Sequence, residues 1–336
     1  MSVAIVILNW NGKGFLEKFI PNVLANSSIG DTSDRNVLIV ADNGSEDGSV
    51  EWLKGSHPDV GIIQLDKNYG FTGGYNRAFE HIKASGKQYD YYLLLNSDIE
   101  VTPGWVDSLV SFMESHRECG ACAPKIRCYS APEYFEHAGA AGGFLDWCYL
   151  PYCRGRVLSK VEKDLGQYDN SIQCFWASGA AFLIRSELWW QMGGLDELFF
   201  AHMEEIDLCW RLQLGGWQIW SVSDSVVFHV GGGTLPNNSP RKIYLNFRNN
   251  LLMMYKNLPR RNRSRIIFFR QLLDGLFGVL YLLMGKFSYT RMIIKAHQDF
   301  RKMKGQMKFT PQDTPVKRSG KFLPFLVLKN LFSKER

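Results

Sequence analysis

Residues 91–100, YYLLLNSDIE, form an apolar run that stops abruptly at Asn96, Ser97 and Asp98. A run this apolar reads as a central strand covered on both faces, because a strand with one wet face alternates. Its polar end then lies at the carboxyl edge of a parallel sheet, the edge at which open α/β folds bind their ligands. Asn and Asp also favour turns for purely local reasons. An isolated N-x-D therefore fits a strand followed by a polar turn as well, and the surrounding segments have to separate the two.

Three segments before it repeat one pattern of strand, polar loop and helix. Val3–Leu8 breaks at Asn9–Gly14, NWNGKG, before an apolar-periodic stretch over Phe15–Leu24. Val37–Val40 ends in ADNGSEDGS, with Asp42 at the strand end, and a helix follows from Val50. Val60–Leu65 runs into Lys67–Arg77, KNYGFTGGYNR, a glycine-rich lead-in to a helix ending near Lys83. Alternation at this interval implies parallel pairing through right-handed crossovers, hence an open α/β sheet in the first hundred residues. The glycine loop matches neither the G-x-G-x-x-G of dinucleotide folds nor the G-x-x-x-x-G-K-S/T of phosphate-binding loops, which disfavours both classes. Its glycines and the helix start behind it would present backbone N–H groups to a diphosphate, with Lys67 and Arg77 adding charge.

After Asp98, Pro103-Gly104-Trp105 opens another helix, and CGACAPKI from Cys119 reads as a buried strand. Cys119 and Cys122 form a C-x-x-C, but no second pair follows at a finger-like spacing, so zinc is not expected there. In Ser171–Arg185 the small Gly179-Ala180-Ala181 follow Trp176 and leave room for a ligand to approach. Gly193-Gly194 end one helix, and a new one starts near Met203 and stops at Gly215. On it Glu204, Asp207 and Arg211 share one stripe, while Glu205 shares a side with Leu208, Cys209 and Leu212. A charged helix start favoured by the macrodipole would explain some of these carboxylates. Gln218–His229 then reads as a strand delivering His229 to a Gly231-Gly232-Gly233-Thr234 loop.

The whole chain sets the bounds. Its 336 residues, 46% hydrophobic, allow one large α/β domain or two smaller ones. Residues 241–336 carry 22 Lys/Arg against 4 Asp/Glu, net +18, and the remainder carries −12, so the two parts are expected to meet different partners. Seven scattered Cys suit a reducing compartment better than a disulfide scaffold. MSVAIVILNWNG lacks a basic region and a cleavage site, so it reads as a first strand and the expected location is cytoplasmic.

Five separated motifs, VAIVILNWNG, VADNGSEDGS, NYGFTGGYNR, LLLNSD and GGLDELFFAHMEEIDLCWR with a later His, together resemble the inverting family 2 glycosyltransferases, in particular bacterial rhamnosyltransferase-like members. The resemblance covers about residues 3 to 255 in consistent order. It implies a GT-A fold, a Rossmann-like open mixed sheet flanked by helices, with a nucleotide-sugar-binding half (1–100) and an acceptor-binding half (101–255) on one sheet. A basic helical extension (256–336) follows. It also implies a nucleotide-sugar donor such as dTDP-rhamnose or a UDP-sugar, a saccharide or lipid-linked acceptor in cell-surface polysaccharide synthesis, and Mg²⁺ or Mn²⁺. Carried over by position, Asn9 and Asn11 border the nucleotide and Asp42 hydrogen-bonds the base. Lys67, Asn68 and Gly70 meet the nucleotide and diphosphate, with Arg77, Asn96 and Ser97 nearby. Asp98 and His229 are the metal ligands. Glu205 falls at the general base, with Glu204 beside it as the alternative, and Trp176, Gly179, Ala180 and Asp207 fall on the acceptor side. Asn96 replaces the first Asp of D-x-D, which predicts weaker, more exchangeable metal binding, and Glu205 replaces an Asp. An inactive relative acting as a binding module would be expected to have lost these groups, and a sugar nucleotidyltransferase to carry a basic triphosphate loop, for which NWNGKG is a poor candidate.

Tyr244–Leu251, YLNFRNNL, resembles the segment that closes the family's catalytic domain. Beyond Arg260, Arg261, Arg263 and Arg265 lies Ile266–Met284, whose 19 residues would just span a bilayer. Arg270 and Asp274 fall inside it at i, i+4, and each charge near the midplane costs about 3 kcal/mol. A helix lying in the interface or packed on the catalytic domain, with Arg270, Gln271 and Asp274 on its polar side, is expected instead. Lys286, Arg291 and Lys295, then Lys317, Arg318 and Lys321 beside Phe322–Leu328, suit anionic lipid on the inner face of a cytoplasmic membrane. No nucleic-acid partner is expected, since aromatics are not interleaved with the basic run.

Overall fold

The computed structural model describes residues 1–30, 36–136, 140–157, 160–231 and 239–308. The loop residues Gly232, Gly233 and Thr234 and the tail from 309, with Lys317, Arg318, Lys321 and Phe322–Leu328, lie outside the described residues. The first half alternates as the sequence predicts: β1 (Val3–Asn9), α1 (Lys13–Asn26), β2 (Val37–Asp42), α2 (Ser49–Ser56), β3 (Gly61–Gln64), α3 (Gly70–Ala84) and β4 (Tyr91–Asn96). There follow β5 (Ile99–Val101), α4 (Trp105–Ser115), β6 (Cys119–Cys128), β7 (Gly143–Leu145), β8 (Pro151–Cys153), β9 (Arg156–Val157), β10 (Lys160–Val161), β11 (Ile172–Cys174) and β12 (Ala181–Arg185). The chain continues through α5 (Ser186–Met192), α6 (Glu204–Leu214), β13 (Gln218–His229), α7 (Pro240–Asn257), α8 (Arg260–Leu283) and α9 (Phe287–Met303).

Nine strands make one mixed sheet in the order β11-β13-β6-β12-β4-β1-β2-β3, with β5 paired to β13. β3, β2, β1 and β4 are parallel. β12 enters antiparallel between β4 and β6, and β13 runs parallel to β6. The result is an open mixed sheet flanked by helices, and β7–β10 form a small separate sheet. Alternation along β1 and β4 divides the core: Ala4, Val6, Tyr92 and Leu94 face α3 and the later helices, while Val3, Ile5, Tyr91 and Leu93 face α1 and α4. Both sets are fully or almost fully buried, as the unbroken apolar run of YYLLL requires.

Register sets the ligand edge. Leu8 pairs with Asn96 and Asn9 with Asp42, so β1, β2 and β4 end level. His229, the last residue of β13, pairs with Ile99 just after the turn that follows β4. The helix read from Ile266 begins earlier, at Arg260 behind Pro259, and α7 to α9 contribute Leu251, Leu252, Ile267 and Phe300 to the same core as the sheet.

Candidate functional site

Asn9 and Asp42 meet at the strand ends, both 0% exposed. Asn9 Nδ2 donates to Asp42 Oδ2 at 3.0 Å and to Ser45 Oγ at 3.2 Å, and Ser45 N donates to Asp42 Oδ1 at 2.9 Å. Asp42 was expected to bind a base. It lies between β1 and the 43–49 loop, and its carboxylate accepts from Asn9 and Ser45 and holds that loop in shape. Asn11, exposed and at φ 50°, joins the two loops: its N–H donates to Ser45 Oγ, and its Oδ1 accepts from Glu46 N at 2.8 Å. Ser97 lies behind Gly12, where an added Cβ would come within 3.6 Å of the Ser97 hydroxyl.

Asp98 and His229 come together across 131 positions, with His229 Nε2 3.1 Å from Asp98 Oδ1. Gly231 N donates to Asp98 Oδ2 at 3.2 Å, and Asn96 Nδ2 stands 3.4 Å from the same imidazole nitrogen. Two ligands about 2.1 Å from a hard divalent cation sit about 3 Å apart when adjacent in its shell. The Asp98–His229 spacing and the carboxylate–imidazole donor set fit such an ion. A second carboxylate, Glu136, lies 3.5 Å from His229 Nδ1, on the other side of the ring. Burial opposes a charge on His229, but hydrogen bonding and attraction from Asp98 and Glu136 outweigh it and raise the imidazole to about 10, so a cation held there would have to displace the proton on Nε2. Sequence reasoning missed Glu136, since no motif marks it.

The glycine-rich loop packs against Phe200. Gly70 takes φ 72°, and a Cβ there would meet the Phe200 ring at 2.6 Å and the Phe200 carbonyl oxygen at 2.7 Å. That carbonyl accepts from Phe71 N at 2.8 Å and Thr72 N at 3.2 Å, so it caps α3. Asn68 Oδ1 takes Gly70 N, and Asn43 Oδ1 takes Tyr69 N. These N–H groups, expected to meet a diphosphate, are therefore bonded within the protein. Arg77 is likewise turned aside, onto Glu197 at 2.8 Å and over the Tyr69 ring, while Asn76 exchanges hydrogen bonds with the Leu195 backbone. Lys67 alone of the loop's cations is exposed, near Tyr69. NYGFTGGYNR and GGLDELFF, read separately in the sequence, are one interlocked unit.

From Phe200 the chain climbs into α6 through strained backbone: Phe200, His202 and Met203 all have positive φ. α7 holds it. Asn249 Nδ2 donates to the carbonyls of Phe199, Ala201 and His202 at 3.0, 2.8 and 2.7 Å, and Arg248 Nη2 to that of Phe199 at 2.9 Å. YLNFRNNL offered the residues, but their partners lie some fifty positions away. Asn249→Ala should cost about 1–3 kcal/mol by leaving buried carbonyls unpaired. Urea unfolding would show it, and an unchanged midpoint would mean the loop holds its shape without α7.

At the head of α6, Glu204 is buried, Glu205 is partly exposed, and the Oε2 atom of each is buried without a partner. Burial pushes both carboxyls up, Glu205 to about 7, and Glu205 adds repulsion to Glu204. Gly179 lies against Glu205, its added Cβ reaching the Glu205 Cβ at 3.6 Å, and the neighbouring Ala180 carbonyl accepts from Asn96 N at 2.8 Å. This short segment ties the carboxylates to the Asn96–Asp98 edge. Trp176, Ala180 and Asp207, the other residues expected on the acceptor side, are all buried. Trp176 is 5% exposed and donates to the Phe144 carbonyl, and Ala180 is buried. Asp207 is 0% exposed, bonded to Arg211, Lys256 and Asn257 at 2.7–2.8 Å. Burial would raise Asp207, but the two cations outweigh it and hold its carboxyl below the ordinary range.

A mixed sheet with a carboxylate–imidazole pair at one strand end, and two carboxyls with unpartnered Oε2 atoms across a glycine from that edge, fits a glycosyltransferase of the GT-A fold. The chain belongs to Glycosyl transferase family 2, whose sequence profile matches residues 2–191. The N-acetylglucosaminyl-diphospho-decaprenol L-rhamnosyltransferase of Mycobacterium tuberculosis is 28% identical over 247 residues, 67% of this chain and 75% of that protein. Among solved structures, TarS 1-349 of S. aureus superposes with TM-score 0.56 at 12% identity, over 89% of this chain and 80% of that one. The mannosyltransferase PcManGT from Pyrobaculum calidifontis, solved with GDP-Man and Mn²⁺, gives 0.52 at 12% identity, over 99% and 88%. The structural likenesses show the shared fold.

Proposed function

We propose that the protein transfers a sugar from a nucleoside-diphosphate donor, dTDP-rhamnose or a UDP-sugar, to a hydroxyl of a saccharide acceptor carried on a lipid, inverting the anomeric carbon. Residues 1–255 carry the reaction, and the basic stretch from 256 attaches it to the inner face of a membrane. The observation that carries the proposal is Glu205: a carboxylate at a helix start, raised to about 7, with a partnerless oxygen and a glycine beside it. A group poised there removes a proton near neutral pH. The attacking acceptor oxygen gives its proton to Glu205 and forms the new bond to the anomeric carbon. On the opposite face the bond to the diphosphate oxygen breaks, and the nucleoside diphosphate leaves with the electron pair. Asp98 and His229 would hold Mg²⁺ or Mn²⁺, which when bound neutralises charge on the departing diphosphate. The relative's name, with its diphospho-decaprenol acceptor, and the neighbour solved with GDP-Man and Mn²⁺ support the same assignments.

A screen of nucleotide-sugar hydrolysis with and without Mn²⁺ tests the donor, and no turnover of any donor under either condition would refute the proposal. Among the described residues no three His, Cys, Asp or Glu side chains form a closed metal cage. Mn²⁺ titrated calorimetrically into the protein alone should therefore bind weakly, and tighten when a nucleoside diphosphate is present. Submicromolar affinity without nucleotide would contradict a site completed by the donor's phosphates.

A further inference from the structure

α8 is amphipathic with its faces reversed. The stripe turned toward the protein is Ile267, Arg270, Asp274 and Gly278, all buried. Arg270 Nε donates to Asp274 Oδ1 at 2.9 Å, His297 of α9 lies 3.1 Å from Asp274 Oδ2, and Thr290 donates to the Gly278 carbonyl at 2.8 Å. The charges that weighed against a spanning helix thus lock α8 onto the rest of the protein. The opposite stripe is Phe268, Phe269, Leu272, Leu276, Val279 and Leu283, each between 46% and 78% exposed. At 1.5 Å per residue it is a ridge about 22 Å long. Among the described residues α8 is also the one helix long and apolar enough to cross a membrane.

We propose that this ridge seats the protein on an anionic bilayer, with α8 lying in the plane between headgroups and acyl chains. Charge selects that occupant. Arg261 and Arg265 continue the outward stripe about two turns and one turn before Phe269, and Lys286 and Arg291 stand exposed at the hairpin, where Phe287 and Ile294 extend the apolar surface. Residues 260–303 hold ten Lys/Arg and two Asp/Glu. Of the two acids, Asp274 is buried and Asp299 accepts from the Tyr244 hydroxyl. A second copy of α8 laid on this face would offer the outward arginines no carboxylate from α8 or α9, whereas lipid phosphates pair them at the depth where the apolar ridge enters. Spanning is excluded by the inner stripe, which is already packed on the protein.

The proposal specifies the membrane part of the function above but does not depend on the transfer reaction. Its consequence for the site is positional. Arg270 Nη1 donates to the Cys148 carbonyl at 3.4 Å, and Tyr149 stacks on Trp210 of α6 with centroids 5.5 Å apart. The helix bearing Glu205 is thereby tied to the seated surface, with Trp147, 61% exposed, beside the link.

The test is flotation of the full chain with vesicles of phosphatidylcholine alone and of phosphatidylcholine with one third phosphatidylglycerol. Wild-type protein should float with the anionic vesicles. Leu272→Glu/Leu276→Glu should reduce that partition about tenfold or more, with an unchanged thermal midpoint and unchanged donor hydrolysis in solution. Arg261→Glu/Arg265→Glu, which leaves the ridge intact, should weaken flotation on anionic vesicles. Three results would each overturn the proposal: wild-type protein that floats with neither vesicle, flotation equal in wild type and both variants, or a wild-type dimer in light scattering that Leu272→Glu/Leu276→Glu dissociates. Normal donor hydrolysis alongside failed flotation would leave the transferase assignment standing, which separates the two.

Discussion

Glu205→Gln is expected to lower turnover by about 10²–10⁴-fold while leaving nucleotide-sugar binding intact. The amide keeps the size and the place beside Gly179 but cannot take a proton. Wild-type kcat/KM should climb as pH rises through about 7, where the Glu205 carboxylate loses its proton, and the variant should lose that limb. Stability moves the other way. The folded-state carboxyl is raised from 4.5 to about 7, so the native protein binds more protons than the unfolded chain between those values. By linkage, that group makes the fold less stable as pH climbs from about 4.5 to 7. Above that window Glu205→Gln should melt at a higher temperature than wild type, the usual relation between an active-site charge and stability. Retained turnover in Glu205→Gln together with loss in Glu204→Gln would transfer the base role to Glu204.

Asp207→Asn is expected to lose about 3 kcal/mol of folding stability, because it leaves the buried Lys256 and Arg211 short of their shared carboxylate. Asp196 at 2.8 Å from Lys256, and the Met192 and Gly194 carbonyls on Arg211, soften the loss. The loss is large for a fold whose total stability is of order 10 kcal/mol. The sign with pH follows from a lowered carboxyl. The contribution is present above the unfolded value of 3.8 and disappears as pH falls through the lower folded value. Wild type and variant should therefore converge in strong acid. Urea unfolding near neutral pH measures the difference, and a normal midpoint with a raised acceptor KM would assign Asp207 the acceptor role expected from sequence.

Most of the sheet was legible because its signals are local. YYLLL is buried on both faces, VAIVILN and VLIVAD end where polar loops begin, and Gln218–His229 is one strand with His229 at its tip. The Asp98–His229 pair followed from resemblance, not spacing, since 131 positions separate the two. What sequence could not show was which polar groups are already engaged. Asp42 and Asp207 stand in motifs that suggest ligands, and within the protein Asn9 and Ser45 bond the first and Lys256 and Arg211 the second. Glu205 carries no such partner on its Oε2. The difference lies in long-range contacts that no local pattern encodes. The reversed faces of α8 were hidden for the same reason: periodicity finds two stripes but does not say which one meets the protein.

The Phe200 carbonyl that caps α3 has a consequence for recombination among relatives. A chimera taking residues 1–100 from one parent and the remainder from another would separate Gly70, Asn76 and Arg77 from the Phe200, Leu195 and Glu197 they grip. Unless both parents share that interlock, the crossover would misplace the turn leading to Glu205 even with every strand correctly paired. Specificity swaps in this chain should therefore move residues 68–77 and 193–203 as one cassette.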